Sequence, residues 1–310
     1  MAAAKKQQSA SHAAARLRKL FAWMFGPART AVILLLLFGL FIGGAWYAFN
    51  KFKPQIFGWP EYRIGPEQVE ITPQPAWIPQ SDVRADVFRS PMLDGRLSID
   101  DDDLVERLGK AFERHPWVAR VERVSKSYGS VKVKLVYRKP VCMVELPGGG
   151  LLPVDVEAVL LPGNETGDIT PTEAKRYPKL CGVDREPTGL VGTRWGDARV
   201  IGGAEIAAAL GDLWEPMRLD HIESSTANTV VAGQSDVGRS AEPRFTLVVR
   251  GSGTRIAWGY APGANAVGEL PAAEKVARLQ RYLTQNDGLD GPQGKPQELD
   301  IRTMSPPVSP

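Results

Sequence analysis

The longest apolar run comes early. From Ala31 to Phe49, "AVILLLLFGLFIGGAWYAF" carries no charged side chain. At a helical rise of about 1.5 Å per residue it spans ~28 Å, close to the hydrocarbon thickness of a bilayer. Trp46 and Tyr47 near its end suit the membrane–water interface. Downstream the period shortens. "SIDDDDLVERLGKAFERHP" lines up Leu104, Leu108, Ala111 and Phe112 on one helical face, opens with Ser98 and Asp101 in capping-box spacing, and ends at Pro116. "PQSDVRADVFRS" predicts a shorter helix with Ser81 as N-cap and Val83 and Val87 inside. "VKVKLVYRK" alternates, with Val131, Val133, Leu135 and Tyr137 on one face and Lys132, Lys134, Val136 and Arg138 on the other, and "SKSYGS" supplies a turn before it. In the partner run Val118, Val121 and Val124 recur every three residues, a spacing that needs a β-bulge or a register change. With "VEI" at Val69–Ile71, the order reads strand, helix, helix, strand, strand.

Further helices are expected near Ala204–Trp214, burying Ile206, Leu210, Leu213 and Trp214, and near Pro271–Gln285. The polar stretch Glu223–Glu242 reads as a loop insertion. The fold class is α+β behind a single N-terminal transmembrane helix.

Charge sets the expected topology. Lys5, Lys6, Arg16, Arg18, Lys19 and Arg29 give the first 50 residues +6 with no acid, so the remainder of a chain with net charge +3 sums to −3. The basic flank places the N-terminus in the cytoplasm and everything after about residue 50 outside it. A cleaved signal peptide fits less well, because the apolar core is too long and Trp46-Tyr47-Ala48-Phe49 is a poor cleavage site. Before the span, Leu17, Leu20, Phe21, Met24 and Phe25 oppose Arg16, Arg18 and Lys19, the pattern of a short interfacial helix or of a solvated basic tail. This topology removes nucleic acid as a partner for the basic hairpin and expects the inner (cytoplasmic) membrane as the location.

Candidate chemistry is sparse. His12, His115 and His221 have no ligand-spaced companions, and no phosphate loop or dinucleotide fingerprint occurs. The four acids from Asp100 to Asp103 fit a solvated helix start better than a metal site. "GQSDVG" (233–238) misses nucleophile-elbow spacing by one residue. Asp155 and Asp300 read as turn and strand-end acids. Cys142 and Cys181 permit a disulfide without establishing one. The expectation is no enzyme, no cofactor, no metal and no small-molecule substrate.

The order of motifs resembles the FtsQ/DivIB cell-division proteins. Pro116-Trp117-Val118, a basic hairpin, and Tyr137-Arg138-Lys139-Pro140-Val141 are similar to that family's POTRA-domain segments, with Tyr137 where Glu is usual. "LLPVDVEAVLLP" looks like L-V-D-x-x-G-x-V, with Asp155 matching and Ala158 in the glycine place. "RYPKLCGV" resembles the L-P-x-L-x-G segment through Pro178, Leu180 and Gly182. "FTLVVRGSGTRIAWG" resembles a late hairpin, and Lys275, Leu279, Asp300, Ile301 and Arg302 echo its last helix and strand.

The resemblance implies a cytoplasmic tail (1–30), a transmembrane helix (31–49), a linker (50–66), a βααββ POTRA domain (67–139), a mainly antiparallel β domain with two helices (140–303) and a disordered tail (304–310). It also implies a non-enzymatic bitopic scaffold of the division machinery, linking membrane-anchored division proteins to septal wall synthesis by strand addition or sheet-face docking. The alternative is a POTRA-type envelope chaperone or secretion adaptor. Expected docking residues are Lys132, Lys134, Arg138, Arg250, Arg255 and Arg302. The family adds a final edge strand after its D-L-R segment. Here Pro306, Pro307 and Pro310 follow, and proline cannot donate to a ladder, so the partner contact is expected at an earlier edge or elsewhere.

Overall fold

The computed structural model describes residues 28–56, 63–78, 81–93, 97–163, 169–225, 242–264 and 266–303. The basic tail, the expected interfacial helix, "GQSDVG" and the terminal tail lie outside the described residues. The chain divides into two compact units, Met1–Arg63 and Ile64–Pro310. The first holds helix α1 (Ala28–Ile56), which runs seven residues past the expected end at Phe49. Its segment Ala31–Phe52 is long and apolar enough to cross a membrane, with none of its residues buried against protein.

The second unit is a mixed α+β body with two sheets. The smaller is built from β1 (Val69–Ile71), β2 (Val118–Ser127) and β3 (Ser130–Tyr137), in the order β1-β3-β2, with β1 parallel and β2 antiparallel to β3. The three-residue spacing in β2 is resolved by two bulges, between Val118 and Arg120 and between Val121 and Arg123. They bring Val118, Val121 and Val124 opposite Tyr137, Leu135 and Val133, so a period of three on one strand meets a period of two on the other. Two helices cover this face: α2 (Val83–Arg89), burying Val83 and Val87, and α3 (Leu104–Glu113), burying Leu104, Leu108, Ala111 and Phe112. The α2 cap is Asp82 rather than Ser81, its carboxylate accepting the Ala85 N–H at 3.1 Å. Before α3, Asp101 accepts the Ser98 N–H at 2.9 Å, but the helix itself starts three residues later, at Leu104.

The larger sheet runs β10-β9-β8-β7-β6-β4-β5. Its strands are β4 (Cys142–Glu145), β5 (Leu151–Val154), β6 (Lys179–Cys181), β7 (Leu219–Ser225), β8 (Arg244–Val249), β9 (Arg255–Tyr260) and β10 (Glu298–Asp300). A mainly antiparallel arrangement was expected, yet the β10–β9, β6–β4 and β7–β6 pairings are parallel. The cause is connectivity. Helix α5 (Ala198–Leu210) carries the chain from β6 to its parallel neighbour β7, and helix α6 (Ala272–Asn286) does the same from β9 to β10. These are βαβ crossovers, which a parallel pair requires. A single-turn helix, α4 (Pro171–Ala174), adds to the two expected. Helix α5 begins at Ala198, earlier than its apolar pattern indicates, because Gly202 and Gly203 conceal the start. Both are packing positions: a Cβ at Gly202 would lie 2.5 Å from the Phe245 ring, and one at Gly203 2.6 Å from Leu180. Glu223–Ser225, expected in a loop, belong to β7.

Two buried clusters meet across β4. Cys142 and Val144 face the core under α5 and α6, while Met143 between them points into the core of the smaller sheet, joined there by Leu161, Ile169 and Ala174. Arg138, at the exit of β3, bridges the same joint. Its guanidinium binds Asp155 at 2.5 Å and Glu157 at 3.0 Å, and its carbonyl accepts the Trp77 indole N–H at 3.0 Å.

Candidate docking site at a sheet edge

Among the described residues, no group of three His, Cys, Asp or Glu side chains is placed to hold a metal ion. Cys142 and Cys181 are free thiols. Period-two alternation along β4 and β6 puts Cys142 on the core face with Leu180 and Cys181 on the opposite face. Burial pushes the Cys181 thiol up to about 12, helped by its 3.0 Å hydrogen bond to Glu145, and burial also pushes Cys142 to about 12.

The six residues expected to dock partners are engaged within the protein. Lys132 and Lys134 are exposed but pair with Glu70 at 3.1 Å and Glu122 at 2.8 Å. Arg250 faces Glu215 at 3.3 Å, and Arg255 forks onto Glu223, holding that carboxyl below its ordinary range. Arg302 grips Asp300 at 2.6 Å. Arg138 departs furthest from the expected exposure, its side chain only 14% accessible because the joint needs a counter-ion for buried Asp155. Lys132 and Lys134 lie on β3 and Arg138 directly after it, whereas Arg250, Arg255 and Arg302 lie on or just after strands of the larger sheet. Tyr137, standing where the family pattern has Glu, donates its hydroxyl to the Thr72 carbonyl at 2.7 Å.

Strand edges offer a better-defined site. β2 is an edge strand, but its two bulges and the side chains of Arg120, Arg123 and Lys126 obstruct a neighbour. The outer side of β5 is occupied, since Leu161 N–H donates to the Pro153 carbonyl at 2.9 Å and Asp155 N–H to Val159 at 3.2 Å. β10 differs. Toward β9, Arg255 N–H reaches the Gln297 carbonyl at 2.9 Å and Ile301 N–H the Ala257 carbonyl at 3.4 Å. In a parallel ladder this alternation turns the backbone groups of Glu298 and Asp300 outward. The strand ends where Asp300 folds back to accept the Arg302 N–H at 2.9 Å, while Arg302 C=O accepts the Leu270 N–H at 2.8 Å. The Arg302 hydrogen bond holds the Asp300 carboxyl below its ordinary range.

A groove of about 480 Å³ runs between this edge and α6, floored by Leu270, Leu279, Leu299 and Ile301, with Arg278 and Arg281 on its rim. Helix α6 is fixed by a buried pair: Lys275 Nζ donates to Glu269 at 2.6 Å and to the Trp258 carbonyl at 2.8 Å. Glu269 also accepts the Tyr260 N–H at 3.1 Å, and its carboxylate lies where a Cβ on Gly259 would stand. Sequence reasoning placed Lys275 and Leu279 on a motif but missed the groove; the i, i+3 spacing of Arg278 and Arg281 was its only trace. No protein-family model matches this chain. No curated protein sequence matches it either.

Proposed function

We propose that the protein is a membrane-anchored, non-enzymatic scaffold of the division machinery. It crosses the inner membrane once through α1, with its N-terminus cytoplasmic, and presents a POTRA-like module and a β module to partner division proteins outside. The observation that carries the docking role is the β10 edge: outward backbone groups at Glu298 and Asp300 beside an apolar groove, the arrangement a partner strand adds to. The reading is further supported by the length and composition of α1 and by the strand–helix–helix–strand–strand order ahead of the larger sheet.

Glu298→Pro tests the edge. Proline removes an outward N–H and leaves the bonds to β9 in place. A fluorescent fusion of the unsubstituted chain is expected at midcell, and its depletion is expected to give filaments. The Glu298→Pro fusion should remain at the membrane yet fail to restore division. Uniform membrane fluorescence with normal division on depletion would sink the scaffold reading, whereas full rescue by Glu298→Pro would sink the edge alone.

A further inference from the structure

A second concavity, of about 1000 Å³, adjoins the first at Tyr282 and opens between the C-terminal end of α6, the segment leading into β10 and the turn before β7. Its frame is braced. Gln297 donates through Nε2 to the Tyr282 hydroxyl and to the Leu289 carbonyl, both at 2.9 Å. Asp290 receives the hydroxyls of Ser252 and of fully buried Thr254. Gly291 N–H reaches the Lys295 carbonyl at 2.8 Å. The concavity is therefore preformed rather than a gap between loose loops.

Its backbone is unusual. Among the described residues four non-glycine residues have left-handed φ, and three of them line this one concavity: Arg218 (φ 53°), Asp287 (φ 55°) and Gln293 (φ 63°). Glycine takes that conformation without the Cβ clash, and this chain puts glycine directly after two of the three, at Gly288 and Gly294. Asp287 sits where helices commonly end in glycine. Three side chains are thus carried at steric cost where none is needed for the turn, and all three are exposed. Strained backbone of this kind gathers where the side chain itself is required.

The side chains also identify a ligand class. Arg218 and Lys295 are cations without an ion pair among the described residues, in contrast to the paired arginines described above. Asp287 supplies acceptors, Gln293 and Asn286 supply both donors and acceptors, and Tyr282 offers a ring. Donors and acceptors are both present, and the lining balances Arg218 and Lys295 against Asp287 and Asp290. That lining suits an uncharged molecule dense in hydroxyls, each of which donates and accepts.

We propose that this concavity binds a neutral oligosaccharide, with Arg218, Asp287 and Gln293 as its recognition residues. The site borders the β10 groove at Tyr282, which lines both, but its recognition residues lie outside that groove.

The test uses the left-handed residues themselves. Arg218→Gly, Asp287→Gly and Gln293→Gly are each made in the full chain in lipid nanodiscs. Melting temperature and calorimetric titration with maltohexaose, cellohexaose and chitohexaose are measured. Expected is an unchanged or raised melting temperature in every variant, with affinity for the bound hexasaccharide falling about tenfold or more. A melting temperature lowered in all three would make the side chains structural and overturn the proposal. So would undiminished binding in the variants, or no saturable heat with any of the three sugars up to about 10 mM.

Discussion

Replacing Arg138 with methionine removes the guanidinium while keeping most of the aliphatic stem. It leaves Asp155, whose side chain is only 4% accessible, without its counter-ion at the joint between the two sheets. Removing one partner of a buried pair generally costs about 3–5 kcal/mol, because the other charge stays desolvated. Here the carboxylate keeps two backbone donors, the N–H groups of Glu157 and Val159, both at 2.9 Å. The expected cost is therefore at or below the lower end, about 2–3 kcal/mol. Asp155→Ala strips those two N–H groups of their acceptor and leaves Arg138 with only the exposed Glu157, and should cost more, about 4 kcal/mol. Glu157, which meets the same guanidinium nitrogen at 3.0 Å but is 62% accessible, should matter little: Glu157→Gln is expected within about 0.5 kcal/mol.

The order Asp155→Ala, Arg138→Met, Glu157→Gln is the content of the prediction. It is read from urea titrations of Ile64–Pro310, the unit that contains both cores, with tryptophan fluorescence as the probe. For a body of this size, about 2–4 °C of melting temperature accompanies each kcal/mol, so Asp155→Ala should melt roughly 8–16 °C lower. An Arg138→Met variant within about 0.5 kcal/mol of the unsubstituted protein would refute the joint as an electrostatic clasp. A Glu157→Gln effect as large as that of Asp155→Ala would show that the wrong carboxylate was credited.

Gly182 has φ 85°, and a Cβ there would lie 2.3 Å from the Ser224 carbonyl oxygen, so Gly182→Ala should cost about 2–4 kcal/mol in a urea titration. Gly196→Ala, at φ 80° but in open space, should cost only about 1–2 kcal/mol, and equal losses would remove close approach as the reason for Gly182. Cys142, fully buried and pushed to about 12, should resist a disulfide reagent at pH 8 by about 10³-fold relative to an ordinary thiol and react fully in denaturant, whereas half-buried Cys181 should react first; prompt labelling of Cys142 in the native protein would contradict its burial. Asp197, Glu223 and Asp300 are held low by Arg199, Arg255 and Arg302, with Asp197 doing so against its own burial. A carboxyl lowered on folding stabilises the native state above its unfolded value, near 4, and loses that contribution as pH falls through the folded value. The urea midpoint should therefore drop below about pH 4, and a midpoint flat to pH 2 would contradict the pairing.

What the sequence could reveal followed from which physical signal dominates each segment. Burial periodicity dominates β3 and α3, and Val131, Val133, Leu135, Leu104, Leu108 and Phe112 stand where their spacing puts them. The spacing of Val118, Val121 and Val124 even encoded its own bulges, because only an extra residue per repeat lets a period of three oppose a period of two. Connectivity left no such mark. β6 and β10 have three residues each, too few for a period, and their parallel pairing depends on helices that cross over between distant strands. Charge was legible only in part, for a related reason. A lysine or arginine on an alternating strand is legible as outward-facing, but its partner is set by another strand of the sheet: Glu70 for Lys132 and Glu122 for Lys134 on the adjacent strand, and Glu223 for Arg255 on the next strand but one. Lys132, Lys134 and Arg255 are thus cations that a sheet neutralises by pairing between strands. The surfaces left over lie beside α6, where an open edge and a braced concavity arise only after β9, α6 and β10 have packed together. Ion pairs thus engage the charged side chains that sequence makes visible, whereas the two sites proposed above rest on positions whose sequence signal is a strained side chain before a glycine or a three-residue strand.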